Sequence, residues 1–76
     1  MNKIRRNKIA SVVTRFENIK EEIEQILDEE QEYLDNMPEN LQDSERAEVA
    51  QNAIDYLQEA IDGLDDVIDN LNEASA

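Results

Sequence analysis

A chain of 76 residues makes one domain at most, and its 20 acidic residues against seven basic ones give a net charge of −13. Cysteine and histidine are absent, which excludes disulfides, thiolate metal sites and the commonest general base and zinc ligand. A core this small, without disulfide or metal, is expected to gain stability by association with another chain.

The first predicted element is a helix over about residues 3–35. From Ile9 onward apolar residues recur at alternating intervals of three and four, and doublets widen the stripe beyond that of a narrow coiled coil. Tyr33 falls in this stripe and is expected in the core. Glu30 stands where an apolar residue is expected, which predicts either a slip in register or a local opening of the packing.

A turn is predicted over residues 36–43, because Pro38 disfavours helical geometry in the residue before it and cannot donate within a helix. Proline can open a new turn, so residues 38–41 are expected to form one, with Leu41 returning to the core. Asp43 or Ser44 then caps the next helix. A connection of about eight residues makes the two helices antiparallel neighbours.

The second predicted helix covers about residues 44–73 and contains three nearly identical heptads. Isoleucine recurs at every seventh position from Ile54, and a leucine follows each isoleucine by three residues. Gly63 takes an outward position in this repeat. The apolar pattern argues against disorder, although acid-rich chains with few aromatic residues are often disordered.

Together these elements predict an all-α fold: one domain over residues 1–76, an antiparallel two-helix hairpin resembling a coiled coil. The predicted core comprises Ile9, Val12, Phe16, Ile19, Ile23, Ile26, Leu34, Ile54, Leu57, Ile61, Leu64, Ile68 and Leu71. Further apolar residues extend the stripe beyond what one hairpin can cover, namely Val13, Leu27, Ala53, Ala60 and Val67. We therefore predict a homodimer forming a four-helix bundle, unless a different protein uses the same face.

The charge is unevenly distributed. Residues 1–20 hold six basic residues and one acid, whereas residues 21–59 hold fourteen acids and Arg46. The basic segment could contact nucleic acid, but the hairpin offers another explanation. Folding places residues 3–8 and Arg15 at the end of the second helix, beside Asp65, Asp66, Asp69 and Glu73.

Catalysis and metal binding are not expected, and no cofactor is predicted. The serine and threonine hydroxyls have no histidine to activate them, and no glycine-rich loop could hold a phosphate. Residues 62–66 lack the alternating ligands of a calcium loop. We predict that the protein is not an enzyme.

The acidic surface has two interpretations. It can simply keep a small bundle soluble, or its regularly spaced carboxylates can imitate a phosphate backbone and occupy a basic groove on another protein. The acid excess repels nucleic acid and anionic membranes, so a basic protein is the expected partner. The predicted partner-binding residues are the outward acids near the turn, with Tyr56 as an anchor: Glu29, Glu32, Asp55, Tyr56, Glu59 and Asp62.

The segment Asn36-Met37-Pro38-Glu39-Asn40-Leu41-Gln42, followed by Ser44-Glu45-Arg46 and the Ala-Ile-Asp-x-Leu repeats, resembles a group of small acidic helical proteins of Gram-positive bacteria and their phages. The resemblance implies a phage or mobile-element setting, in which such proteins often block host enzymes or defence complexes. It favours an inhibitor, and a structural or assembly protein acting through its apolar face is the alternative. With neither a membrane-spanning run nor a signal peptide's apolar core, we expect the cytoplasm of the bacterium or of the infected host cell.

Overall fold

The computed structural model describes residues 1–41 and 44–76. Helix α1 spans Lys3–Asp35 and begins at Asn2, whose side-chain oxygen accepts a hydrogen bond from the Arg5 N–H at 2.9 Å. An asparagine at this position satisfies a backbone donor that has no partner within the helix. The predicted bounds of the first helix are confirmed.

The chain leaves α1 through Asn36 and Met37, and a short 3-10 turn spans Glu39–Leu41. The Leu41 N–H donates to the Pro38 carbonyl at 2.8 Å, so the predicted turn after proline is confirmed. Leu41, however, is 38% exposed, and the prediction that it returns to the core is wrong. Met37 is buried there instead, because it lies one turn closer to the helix pair.

Helix α2 spans Glu45–Ala74, within one residue of the predicted bounds at each end. Ser44 caps it by accepting a hydrogen bond from the Ala47 N–H at 3.4 Å. Glu45 and Glu48 lie in its first turn, where the helix dipole favours negative charge. The alternative cap, Asp43, and the end of the predicted turn lie outside the described residues.

The two helices pack against each other along their length, as an antiparallel hairpin with extents of 59 × 15 × 12 Å. Lys20 of α1 meets Asp65 of α2, so these two positions lie at similar heights along the hairpin. The inward positions of α2 follow the heptads: Ala47, Ala50, Ile54, Leu57, Ile61, Leu64, Ile68 and Leu71. Those of α1 are Ile9, Val13, Phe16, Lys20, Ile23, Leu27, Glu30 and Leu34.

The core of α1 is rotated from the predicted one. Ile19 and Ile26 are 42% and 51% exposed, and Tyr33 is 50% exposed, so their placement in the core is wrong. Val13 is buried and Leu27 half-buried, although both were expected to lie beyond the hairpin core. In a pair of helices each helix buries only one stripe of the other. Consecutive residues differ by about 100° around the helix axis, so the neighbour of an inward residue points to the side.

Two charged residues therefore occupy inward positions of α1. Lys20 can do so because its long apolar stem lies along the core while its ammonium reaches Asp65. Glu30 is half-buried opposite the small residues of α2 near the turn, and a groove opens beside it. The expected local opening of the packing is confirmed.

Candidate protein-binding surfaces

The hairpin has two lateral sides, each made from one flank of α1 and one flank of α2. Glu24, Leu27 and Asp28 share a groove with Gln58 and Ile61, so these flanks face the same way. On the opposite flanks, Glu30 and Tyr33 share a groove with Arg46, Val49 and Ala50. The heptad repeat extends both assignments along the helices, since residues seven apart lie on one face.

The first of these we call the acidic side, because its positions from Glu17 to Asp35 of α1 and from Glu48 to Asp69 of α2 are carboxylates or amides. Its members are Glu17, Glu21, Glu24, Asp28 and Asp35 of α1, with Glu48, Asp55, Asp62, Asp65 and Asp69 of α2. Asp65 is half-buried and the other members are exposed. In the central part of this side, which residues 17–28 of α1 span, Lys20 is the basic residue among the acids.

Side-chain amides hold several of these aspartates. Gln51 Nε2 donates to Asp55 Oδ1 at 3.0 Å, and Gln58 Nε2 donates to Asp62 Oδ1 at 3.1 Å. Gln31 makes the equivalent bond to Asp35 near the turn, also at 3.0 Å. Each pair joins residues four apart on the helix, a spacing at which amide–carboxylate bonds stabilise helices modestly. The amides orient the carboxylates without neutralising them.

Lys20 and Asp65 form the one ion pair within 4.0 Å among residues 1–41 and 44–76, with Nζ and Oδ1 2.5 Å apart. The hydrogen bond to Asp65 is the main cause that raises the pKa of Lys20 above its ordinary value of 10.5. Residues 3–8 and Arg15 form no such pair with the acids of α2. The antiparallel hairpin still brings the start of α1 to the end of α2, so their proximity rests on the fold rather than on an ion pair.

The opposite side we call the apolar side. Its central column on α1 is Val12, Ile19, Ile26 and Tyr33, which follow one another at intervals of seven residues. Its column on α2 is built of smaller residues, Ala53, Ala60 and Val67, with Val49, Tyr56 and Gly63 at the outer margin. A Cβ placed on Gly63 would meet no atom within 4 Å, which confirms that this glycine points outward.

The groove near the turn belongs to the apolar side and has a volume of about 390 Å³. Glu30 and Tyr33 form one wall, and Arg46, Val49 and Ala50 form the other. Alanines at inward positions of α2 leave this space, since leucine or isoleucine would fill it. It is an open apolar depression with two acids, Glu30 and Glu45, and one base, Arg46, at its edges.

The six predicted partner-binding residues are all exposed, but they do not form one surface. Asp55 and Asp62 lie together on the acidic side. Glu32 and Glu59 project from the outer backs of the two helices. Glu29 and Tyr56, the latter 72% exposed, lie at the margins of the apolar side. The hairpin thus joins two of the six and separates the others.

The structure adds to Asp55 and Asp62 the carboxylates of α1 that face the same way, Glu17, Glu21, Glu24 and Asp28. These acids were visible in the sequence, but the rotation of α1 about its axis was not. Once the inward positions of α1 are known, these four acids can be assigned to the acidic side, because they flank the inward positions.

No group of three or more acidic side chains in the described parts of the chain is arranged to hold a metal ion. Neither described helix is long and apolar enough to cross a membrane. Comparison with protein-family models, with curated proteins and with solved structures gives no match to this chain. The architecture that the structure itself defines is an all-helical two-helix hairpin.

Proposed function

We propose that this protein is a small acidic binding module that occupies a basic surface on a nucleic-acid-handling or defence protein through its acidic side. The supporting observation is the density of charge at the centre of that side. Eight carboxylates lie there: Glu17, Glu21, Glu24, Asp28, Asp55, Asp62, Asp65 and Asp69.

Residues 55–69 span about 21 Å of helix, and residues 17–28 lie at the same heights on α1. Because Lys20 neutralises Asp65, the net density is seven charges, or about one per 3 Å, against one per about 1.7 Å along duplex DNA. Such a side can replace a phosphate backbone in a basic groove. Because both helices are packed together, the charges are also held at fixed spacing, which lowers the entropic cost of binding.

The phage or mobile-element setting rests on the resemblance of the turn segment and the repeats. It supplies a reason for such a mimic, because a host nuclease or defence complex presents the basic groove that it would fill. Partner binding of this kind is steered by charge, so it is expected to weaken steeply as salt rises.

The test uses the tagged protein to capture proteins from a bacterial lysate at low and at moderate salt. One variant neutralises four members of the acidic side, Glu21→Gln, Glu24→Gln, Asp55→Asn and Asp62→Asn. A matched control removes the same number of charges elsewhere, Glu29→Gln, Glu32→Gln, Glu59→Gln and Asp66→Asn.

We expect basic nucleic-acid-binding proteins to be captured at low salt by the parent and by the control, and lost with the first variant. Equal loss with both variants would show that net charge alone drives capture, and would refute the acidic side as the site. Recovery of no basic protein at low salt would refute the function itself. A captured protein should also lose its own nucleic acid when the module is added.

A second candidate function is structural: an assembly protein that works through its apolar side. The observation that favours it is the exposure of Ile19, Ile26 and Tyr33 at heptad spacing, which a monomer leaves in contact with water. Association through this side should hold or strengthen with salt, which is the opposite response to that of a charge-driven complex.

A further inference from the structure

We infer that a second copy of this chain covers the apolar side, with the two hairpins face to face and their turns at opposite ends. In this arrangement α1 packs against α1 of the second copy and α2 against α2, each pair antiparallel. The inference deepens the second candidate function and is independent of the acidic side, which stays exposed on both outer faces of the bundle.

The first argument is the symmetry of the apolar column on α1, in which Val12 is half-buried and the other three residues are exposed. Val12, Ile19, Ile26 and Tyr33 are evenly spaced along α1. A two-fold axis midway between Ile19 and Ile26 therefore places Ile19 of each copy opposite Ile26 of the other. The same axis places Val12 opposite Tyr33. A small side chain then faces a large one, beside the groove that Tyr33 lines. An interface of this kind is self-complementary, as a two-fold dimer requires.

The second argument is that the small residues on the apolar side of α2 are also centred at the height of this two-fold axis. Lys20 and Asp65 lie level with each other, and the helices are antiparallel, so residue 22 of α1 lies level with Gly63. Gly63 therefore falls at the axis, with Ala60 and Val67 on either side of it. These small residues let two copies of α2 approach closely, and the space outside Gly63 is open.

The third argument is charge. The first 20 residues carry six basic residues and one acid, whereas residues 21–59, around the turn, carry fourteen acids and Arg46. Turns at opposite ends bring the basic part of one copy beside the acidic part of the other. Turns at the same end would place the two acid-rich halves together, which costs energy by repulsion.

Individual charges at the margin follow the same axis. Arg15 of one copy comes beside Glu29 of the other, so the charges are complementary there. At the axis Glu22 of one copy comes close to Glu22 of the other, and these two like charges oppose association. Both relationships are specific to this arrangement and can be tested.

The chain has no cysteine, so single cysteines can be introduced as reporters. We expect Gly63→Cys to be joined to itself by a short bismaleimide, giving a covalent dimer. Asp62→Cys, on the adjacent residue but facing the acidic side, should give none. Absence of the Gly63→Cys dimer, or equal yields from both variants, would overturn the arrangement. If Gly63→Cys instead links only to Glu22→Cys in a mixture, the turns lie at the same end.

Sedimentation equilibrium tests the surface itself. Ile19→Gln with Ile26→Gln should weaken the dimer by at least about 100-fold while circular dichroism still shows a helical protein, because both residues are exposed in the hairpin. The control Glu21→Gln with Asp28→Asn lies on the acidic side of the same helix and should leave the dimer intact.

Charge exchange completes the test. Arg15→Glu should weaken the dimer, and the further change Glu29→Arg should restore it. Glu22→Gln should strengthen it. A parent protein that sediments as a stable monomer, or a failure of Glu29→Arg to restore the Arg15→Glu variant, would overturn the inference. None of these outcomes depends on a basic partner, so the two functional proposals can fail separately.

Discussion

Truncating Ile61 to alanine removes one of the best-buried side chains of the hairpin, which is 7% exposed. Such a substitution in a packed core costs about 2–5 kcal/mol, since the lost burial is joined by the cost of a cavity. A protein of this length has a total stability of about 4–11 kcal/mol. Ile61→Ala should therefore remove about a fifth of the free energy of unfolding at the least, and most of it where the cost is high and the total is low.

The matched comparison is Ile26→Ala, the same chemical change on the opposite helix. Ile26 is 51% exposed, so about half of the 1.5–3 kcal/mol available from burying such a side chain is at stake, or about 1 kcal/mol. Urea unfolding followed by circular dichroism measures both variants. At a concentration low enough to keep the protein monomeric, Ile61→Ala should lose at least twice as much stability.

Equal losses from Ile61→Ala and Ile26→Ala in the dilute protein would contradict the observed rotation of α1. The concentration dependence gives a further check. If a second copy covers Ile26, the deficit of Ile26→Ala grows as the protein is concentrated, because the parent gains stability from association and the variant does not.

Three further predictions concern single positions. The Lys20–Asp65 pair raises the pKa of Lys20 in the folded state. The stabilising effect of this pair is therefore complete below about pH 10.5 and is lost as the pH rises through the folded-state pKa. Thermal unfolding across this pH range should show the loss in the parent and not in Lys20→Met. Gly63→Ala should raise the stability of the dilute protein by up to about 1 kcal/mol, because the added Cβ meets open space; no rise in melting temperature would contradict this. Ser44→Ala should cost about 1 kcal/mol in urea unfolding by removing the cap of α2, and Ser44→Asp should retain most of the stability.

The helices and the turn were predictable because their signals are local. Asn36, Pro38 and Ser44 end one helix, form the turn and begin the next through backbone effects that need no knowledge of the partner helix. The heptads of α2 were equally clear, since each inward position holds an isoleucine or a leucine from Ile54 onward.

The rotation of α1 could not be obtained in this way. Adjacent apolar residues such as Val12 and Val13, or Ile26 and Leu27, offer two stripes of nearly equal hydrophobicity. The choice between them is made by packing against α2, which places Lys20 inward and Ile19 outward. Consequently the acids of α2 could be assigned to a side from the sequence, whereas those of α1 could not.

The weak packing beside the turn bears on how the hairpin forms. Near the turn Glu30, Ala47 and Ala50 stand among the apolar residues Leu34, Met37 and Ile54, whereas the layer of Leu27 and Ile61 holds large apolar residues on both helices. About 30 residues of chain must close before the Leu27–Ile61 layer forms, at an entropic cost that the thinner packing near the turn offsets only in part. Folding should therefore begin in the middle of the hairpin rather than zip from its turn. Amide hydrogen exchange should accordingly be slowest around Ile61 and faster toward both ends of the rod.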